Sequence, residues 1–254
     1  MKVSILIVSW LQDRKWLEYC LRSITKFASG FHETVVLVPE QEAKEFSNRL
    51  LLPASIRWAT YPRTPDKTKW HLHHQVMKCH ADLWCPDADF VLHTDSDCVF
   101  SEPVTPDDYF VDGKPVMLIE PYRNLVNNPW QIPTQNALKR LVEFETMRRH
   151  PQVNPAKIYV DLREHMHHLH NMTLEAFFLT RKPDYPWGVS EFCLIGAYAY
   201  EYHRHRYHWI DVSKHPRPHS KLIQFWSHSP PDKPQSLPNG GRGTPLEMMR
   251  QIGL

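Results

Sequence analysis

Asp89-Phe90-Val91-Leu92-His93-Thr94-Asp95-Ser96-Asp97-Cys98 runs an apolar strand core directly into two carboxylates one residue apart. In an extended chain, side chains at i and i+2 point to the same side, so Asp95 and Asp97 are expected to address one point just past the strand's C-terminal end. Open α/β sheets bind their ligands at that edge. Two hard oxygen donors there suit Mg²⁺ or Mn²⁺, and either ion suits a diphosphate. Asp-x-Asp is also common by chance, and its plain alternative is a polar turn after a strand. The surrounding chain decides between the two.

Upstream, strand and helix alternate. Val3 to Val8 is a continuous apolar run, as expected of a buried parallel strand. Asp13 is placed to cap the next helix, in which Leu17, Cys20, Leu21 and Ile24 share one face. Thr34 to Val38 reads as a second strand stopped by Pro39. Glu42 to Leu51 reads as a helix and Ile56 to Thr60 as a third strand. The spacing predicts a helix over His71–Leu83 with Leu72, Val76, Cys79 and Leu83 on one face. This order predicts an α/β fold, with a mostly parallel central sheet and helices on both faces.

Downstream the pattern loosens. Val116 to Glu120 reads as a strand, and Gln135 to Arg149 as a helix with Leu138, Leu141, Val142 and Glu145 on one face. Residues 150–187, with Pro151, Pro155, Pro183 and Pro186, read as irregular around a short helix from Thr173 to Thr180. Ser190 is placed to cap a helix holding Phe192, Ile195 and Ala199, and Leu222 to Trp226 reads as a late strand. Residues 229–245 read as a loop. Thr244-Pro245-Leu246-Glu247 then has the form of a capping box with proline at the first helical position, opening a helix to about Ile252. No linker and no repeat divide the chain, so 1–254 reads as one domain.

The 254 residues suffice for a sizeable core, and a net charge of +2 argues for neither nucleic acid nor membrane. Five scattered cysteines imply no disulfide framework and favour a reducing compartment. The opening apolar run is too short for a signal segment and no run is long enough to span a membrane, so a cytoplasmic protein is expected. The 17 histidines cluster at 71–80, 165–170 and 203–208, without a Cys-x₂-Cys pair or the spacing of a zinc finger.

Four pieces, in order over about residues 3–230, resemble a GT-A glycosyltransferase, especially small bacterial and phage enzymes related to family 2. They are Val3–Val8 followed by Trp16–Ile24; Phe90-Val-Leu-His-Thr-Asp95-Ser-Asp97; Trp187-Gly-Val-Ser190-Glu191-Phe192 with Gly196 and Tyr198; and Gln224-Phe-Trp-Ser-His228-Ser. The resemblance implies transfer of a sugar from a nucleotide-diphosphate sugar to an acceptor hydroxyl, with Mn²⁺ or Mg²⁺ as cofactor. It implies a nucleotide-sugar-binding half over 1–100 and an acceptor-side half over 101–254, closed by a lid over 229–245.

The same resemblance assigns roles. Asp97 is the first metal ligand, Asp95 binds the metal or the donor ribose, and His228 completes the metal site. His228 also reads as part of an ordinary Trp-Ser-His-Ser turn. Glu191, in a helix's first turn where the macrodipole favours negative charge, is the catalytic base; the alternative is an ordinary helix-start acid. Trp10 and Lys78 are placed with the donor, with Lys67 and Lys69 as further cations near the diphosphate. Arg242, within Gly240-Gly-Arg-Gly243, is a phosphate-binding candidate in a glycine-rich loop. The chain departs from the family where Val38-Pro39-Glu40 stands in place of the paired aspartates that hold the base in many relatives, and Glu191 is not followed by Asp.

Two other readings compete. A sugar-phosphate nucleotidyltransferase calls for a glycine-rich loop after the first strand, and Ser9-Trp-Leu-Gln-Asp13 has no glycine. A nucleic-acid-binding module would use the basic, aromatic-mixed His203-Arg-His-Arg-Tyr-His208. The acceptor is a glycan, lipid-linked or free, or a hydroxylated base of modified nucleic acid.

Overall fold

The computed structural model describes residues 1–47, 56–147, 151–180, 188–225, 231–236 and 242–254. Its central sheet has the order β3-β2-β1-β4-β9, built from β1 Val3–Val8, β2 Thr34–Pro39, β3 Ile56–Tyr61, β4 Phe90–His93 and β9 Gln152–Pro155. β1, β2, β3 and β4 are parallel, and β9 runs antiparallel beside β4. The fold is therefore α/β with a mixed, mostly parallel sheet, flanked by helices.

The apolar run of β1 serves two faces. Val3, Ile5 and Ile7 pack with Leu17, Cys20, Leu21 and Ile24 of α1 (Arg14–Phe27), the face expected from their spacing. Leu6 and Val8 point the other way, into a larger core that includes Val76, Ile158, Leu162, Leu194 and Ile195. Period-two alternation buried on both sides is why these strands read as unbroken apolar runs. The larger core draws residues from both halves of the chain, from Leu6 to Tyr207.

The connections hold α2 (Ala43–Ser47), α3 (Trp70–Lys78) and α4 (Ala81–Trp84). The single helix expected over 71–83 is thus two. His80 breaks it by turning its Nδ1 to the Val76 carbonyl at 2.9 Å, and Leu83 is left 58% exposed rather than on the buried face. The helix expected over 42–51 is described only to Ser47.

After β4 come β5 (Cys98–Phe100), β6 (Phe110–Val111), β7 (Lys114–Pro121), α5 (Gln131–Leu138) and β8 (Phe144–Glu145). The helix expected over Gln135–Arg149 ends at Leu138. Lys139 turns left-handed at φ 49°, and two glutamine side chains then capture the chain: Val142 N–H donates to Gln135 Oε1 and Gln131 Nε2 to the Val142 carbonyl. Leu141 is 87% exposed, while Glu145 lies buried in a strand beside β7. The stretch expected to be irregular holds β9 and the 14-residue α6 (Lys157–His170), which buries Ile158, Tyr159, Leu162 and Met166. Pro155 is tolerated at the end of β9 because β9 is an edge strand of the described sheet.

The remaining elements are α7 (Leu174–Thr180), α8 (Glu191–Tyr202), β10 (His208–Asp211), β11 (Leu222–Gln224), β12 (Gln235–Ser236), β13 (Arg242–Gly243) and α9 (Pro245–Gln251). Both caps expected among these elements form: Ser190 Oγ accepts from Cys193 N–H, and Thr244 and Glu247 make a reciprocal capping box. β12 and β13 pair antiparallel within the segment expected to be loop, of which 229–230 and 237–241 lie outside the described residues. Among the described residues no helix is long and apolar enough to cross a membrane.

Candidate active site

Because β1, β2, β3 and β4 are parallel, the segments after Val8, Pro39, Tyr61 and His93 share one edge of the sheet. The two carboxylates lie there, but not as successive residues of an extended strand. β4 ends at His93, and residues 95–98 form a turn closed by Cys98 N–H donating to the Asp95 carbonyl at 3.1 Å. Asp95 and Asp97 are therefore not same-side residues of an extended strand, as expected from their spacing: their placement comes from the turn. Phe225 N–H donates to the Asp97 carbonyl at 2.8 Å, so the turn is tied to the chain leaving β11.

Lys78, the last residue of α3, organises this edge. Its Nζ donates to Asp95 Oδ1 at 2.5 Å and to Glu191 Oε1 at 2.7 Å, and it faces the Phe192 ring at 4.5 Å. Its side chain is only 6% exposed. Burial alone would lower the ammonium's pKa, but Asp95 and Glu191 outweigh it and carry it above the ordinary lysine value. Burial likewise works to raise Asp95, and the Lys78 ammonium overcomes this and holds the carboxyl below the usual range. Lys78 thus stands between two carboxyl groups, Glu191 almost wholly buried and Asp95 partly exposed.

Glu191 is delivered by the first turn of α8. Ser190 caps that helix, and the Phe192 carbonyl accepts from Thr146 Oγ1 at 3.0 Å and Gln152 Nε2 at 2.9 Å. Gly196, one turn further on, lets α8 approach this closely, for a Cβ there would lie 2.2 Å from Thr146 Oγ1. The glycine and the glutamate of one short motif thus have linked roles: one admits the helix, the other is carried by it.

Asp13 was expected to cap α1, yet its side chain makes no capping bond. It instead accepts from Trp10 Nε1 at 2.8 Å and from Ser96 Oγ at 3.2 Å, joining the loop after β1 to the Asp95–Asp97 turn. Trp10 meets the His74 ring edge-on at 5.7 Å. Burial, helped by Lys78, lowers the His74 and His93 pKa values to about 3, so both imidazoles are neutral around the ammonium.

Of the proposed site residues, Asp95, Asp97, Lys78, Glu191 and Trp10 lie on segments that meet at this edge or are linked to it by hydrogen bonds. His228 lies outside the described residues, as does the side chain of Arg242, whose backbone pairs with Ser236. Lys69 pairs with Asp66 and Lys67 faces Trp70. The histidine clusters have packing roles: His165 lies against Tyr198 and Tyr202, and His170 bonds the Ala137 carbonyl and meets Phe177. Among the described residues no three His, Cys, Asp or Glu side chains converge to hold a metal ion. The hard oxygens of Asp95 and Asp97 nevertheless suit Mg²⁺ or Mn²⁺ in kind, and Lys78 occupies one Asp95 oxygen.

Two residues at the same edge escaped the sequence reading. Glu42, after β2, accepts from Leu11 N–H at 2.7 Å and from Arg63 Nη1 at 2.6 Å. Arg63 follows β3 by two residues, and that position was the signal that could have found it. No protein-family model matches the chain, and no curated protein matches it. The functional reading rests on the residues themselves.

Proposed function

We propose that this protein is a metal-dependent glycosyltransferase of GT-A type, moving a sugar from a nucleotide-diphosphate sugar to an acceptor hydroxyl. The observation that carries the reading is the ion triad: Lys78 joins Asp95, just past the C-terminal end of a parallel strand, to Glu191, which starts a helix and lies 113 residues from Lys78 in sequence. A purely structural pair does not require a second carboxylate at the ligand-binding edge of the sheet, since buried ion pairs are costly to assemble.

In this reading Asp97 and Asp95 hold the divalent cation, which when bound supplies Lewis acidity to the leaving diphosphate. Lys78 adds a fixed positive charge on the same side. Glu191 accepts the proton of the acceptor hydroxyl. The acceptor oxygen then forms its bond to the anomeric carbon as the carbon–phosphate oxygen bond breaks, and that electron pair leaves on the diphosphate. Asp13 holds Trp10 and Ser96 in register so that the donor meets a preformed edge. The test is calorimetry of nucleoside diphosphates with Mn²⁺, followed by donor turnover. Nucleotide binding that depends on Mn²⁺ supports the reading; no binding of any nucleotide overturns it.

A further inference from the structure

Arg63 is an unusual buried cation. Its side chain is 5% exposed, and its guanidinium lies 4.1 Å from the centroid of Trp70. Nη1 is engaged by Glu42 at 2.6 Å, whereas Nε and Nη2 are enclosed and make no hydrogen bond. Enclosed donors of a charged group are expensive to leave unmet and call for an explanation. Nε and Nη2 form the side-on edge of a guanidinium, which presents two parallel N–H groups. That edge accepts a pair of adjacent hydrogen-bond acceptors.

Its surroundings fix it. Glu42 Oε2 is held by Leu11 N–H, Trp70 Nε1 donates to the Thr64 carbonyl at 3.1 Å, and Thr64 N–H donates to His73 Nδ1 at 3.0 Å. The charge is thus oriented at one end by a carboxylate and on one face by an indole, with the Tyr61 hydroxyl also beside it, while Nε and Nη2 make no hydrogen bond. β3 stands three strands from β4 in the sheet. At a spacing of roughly 4.8 Å per strand, Arg63 and Asp95 are separated along the edge by about 14 Å. An extended nucleoside diphosphate spans such an interval.

We propose that Arg63 reads the base of the donor nucleotide and selects one with two adjacent acceptors: guanine through O6 and N7, or cytosine through O2 and N3. This rests on the donor-binding reading above and adds its specificity. Uracil places an N–H between its carbonyls, and adenine sets an amino group beside N7, so neither matches two parallel donors. The guanidinium tilts toward the base while Glu42 keeps hold of Nη1, and Trp70 continues the stacking surface beneath.

Thermal shift and calorimetry on the intact protein with GDP, CDP, UDP, ADP and pyrophosphate, each with Mn²⁺, test this. GDP or CDP should bind about tenfold or more tighter than UDP and ADP, the discrimination typical of one bidentate contact. Arg63→Lys keeps the charge near Glu42 and Trp70 but lacks the fork, and should erase that preference while leaving weak binding of all four. Preference for UDP or ADP, or an unchanged preference in Arg63→Lys, overturns the inference and leaves the glycosyltransferase reading standing. Arg63-dependent binding of pyrophosphate as tight as that of GDP or CDP overturns it too, by making Arg63 a phosphate ligand. Absence of binding by every nucleotide removes both.

Discussion

Lys78 and Glu191 are 113 residues apart in sequence, and their side chains meet at 2.7 Å with both almost wholly buried. The contact locks the end of α3 to the start of α8 across the larger core, at the point where Asp95 also arrives. Chemistry and architecture therefore share one ion pair, and substitutions should separate their contributions.

Glu191→Gln keeps the shape and the hydrogen bond to Lys78 but cannot accept a proton. Turnover is expected to fall by about a hundredfold or more while nucleotide affinity changes little. Steady-state kinetics beside calorimetry checks this, and near-normal kcat would reduce Glu191 to a structural partner of Lys78.

Lys78→Met leaves two carboxylates facing each other without their cation. Breaking a buried pair by removing one partner costs about 3–5 kcal/mol. Urea denaturation should show a loss of that order, and adding Glu191→Gln to the same chain should recover part of it. A loss no larger than that of a surface lysine would mean that water already compensates the pair.

Asp97→Ala should remove the Mn²⁺-dependent part of nucleotide stabilisation and leave the fold intact, because the backbone bond from Phe225 to the Asp97 carbonyl survives the change. Thermal shift with and without Mn²⁺ reads it directly. Equal stabilisation in mutant and wild type would take Asp97 out of the metal site.

His93 sets an acid limit on stability. It is 2% exposed, its Nε2 lies 2.6 Å from Tyr159 Oη, and burial followed by the Lys78 charge brings its pKa from 6.5 to about 3. A depressed imidazole is neutral in the native state while the unfolded chain protonates. Its contribution is thus complete above pH 6.5 and is lost progressively as pH falls toward 3. Each such histidine adds a slope of at most about 1.4 kcal/mol per pH unit. His93→Gln should flatten the acid limb of a stability–pH profile by that amount; an unchanged limb would show that His93 titrates normally.

Gly196→Ala should destabilise by about 1–3 kcal/mol, the usual cost of overpacking, since the new Cβ meets Thr146 at 2.2 Å through atoms close to its backbone. Chemical denaturation measures the loss. It should come with a weaker kcat, because a displaced α8 carries Glu191 with it.

β1, β2 and β4 are legible in the sequence because burial on both faces writes itself as apolar runs, and α1 presents one clean stripe; β3, a partly exposed strand with Arg57 and Thr60 in it, is legible from its β-branched and aromatic residues alone. α6 was missed: its buried Ile158, Tyr159, Leu162 and Met166 are interleaved with histidines and charges, and Pro151 precedes and Pro155 ends an edge strand that looks like a loop. The opposite error, a helix across 135–149, came from a helical spacing of Leu138, Leu141, Val142 and Glu145 that the glutamine-held turn after Lys139 interrupts, leaving Leu141 exposed. At the site, Asp95, Asp97 and Glu191 could be named from local motifs. The weight of Lys78 could not, because its partners arrive from distant segments. Arg63 and Glu42 escaped for the same reason: one looks like an ordinary loop charge and the other like an ordinary helix-start acid until the parallel strands bring β2 and β3 side by side.

The five cysteines suggest a use of the molecule as its own reporter. Cys20, Cys79, Cys85, Cys98 and Cys193 are all buried free thiols. Burial is the largest influence raising each one's pKa, with nearby carboxylates adding to it for Cys20 and Cys98. Because alkylation needs an accessible thiolate, the folded chain should be silent to maleimide near neutral pH. Labelling then runs only as fast as the protein opens. Cys20 and Cys98 flank the carboxylate turn, so their labelling clocks that region, while Cys85 times the far end of the same strand system. A cysteine introduced on the surface would be the one fast site, ready for a fluorophore without removing any native thiol.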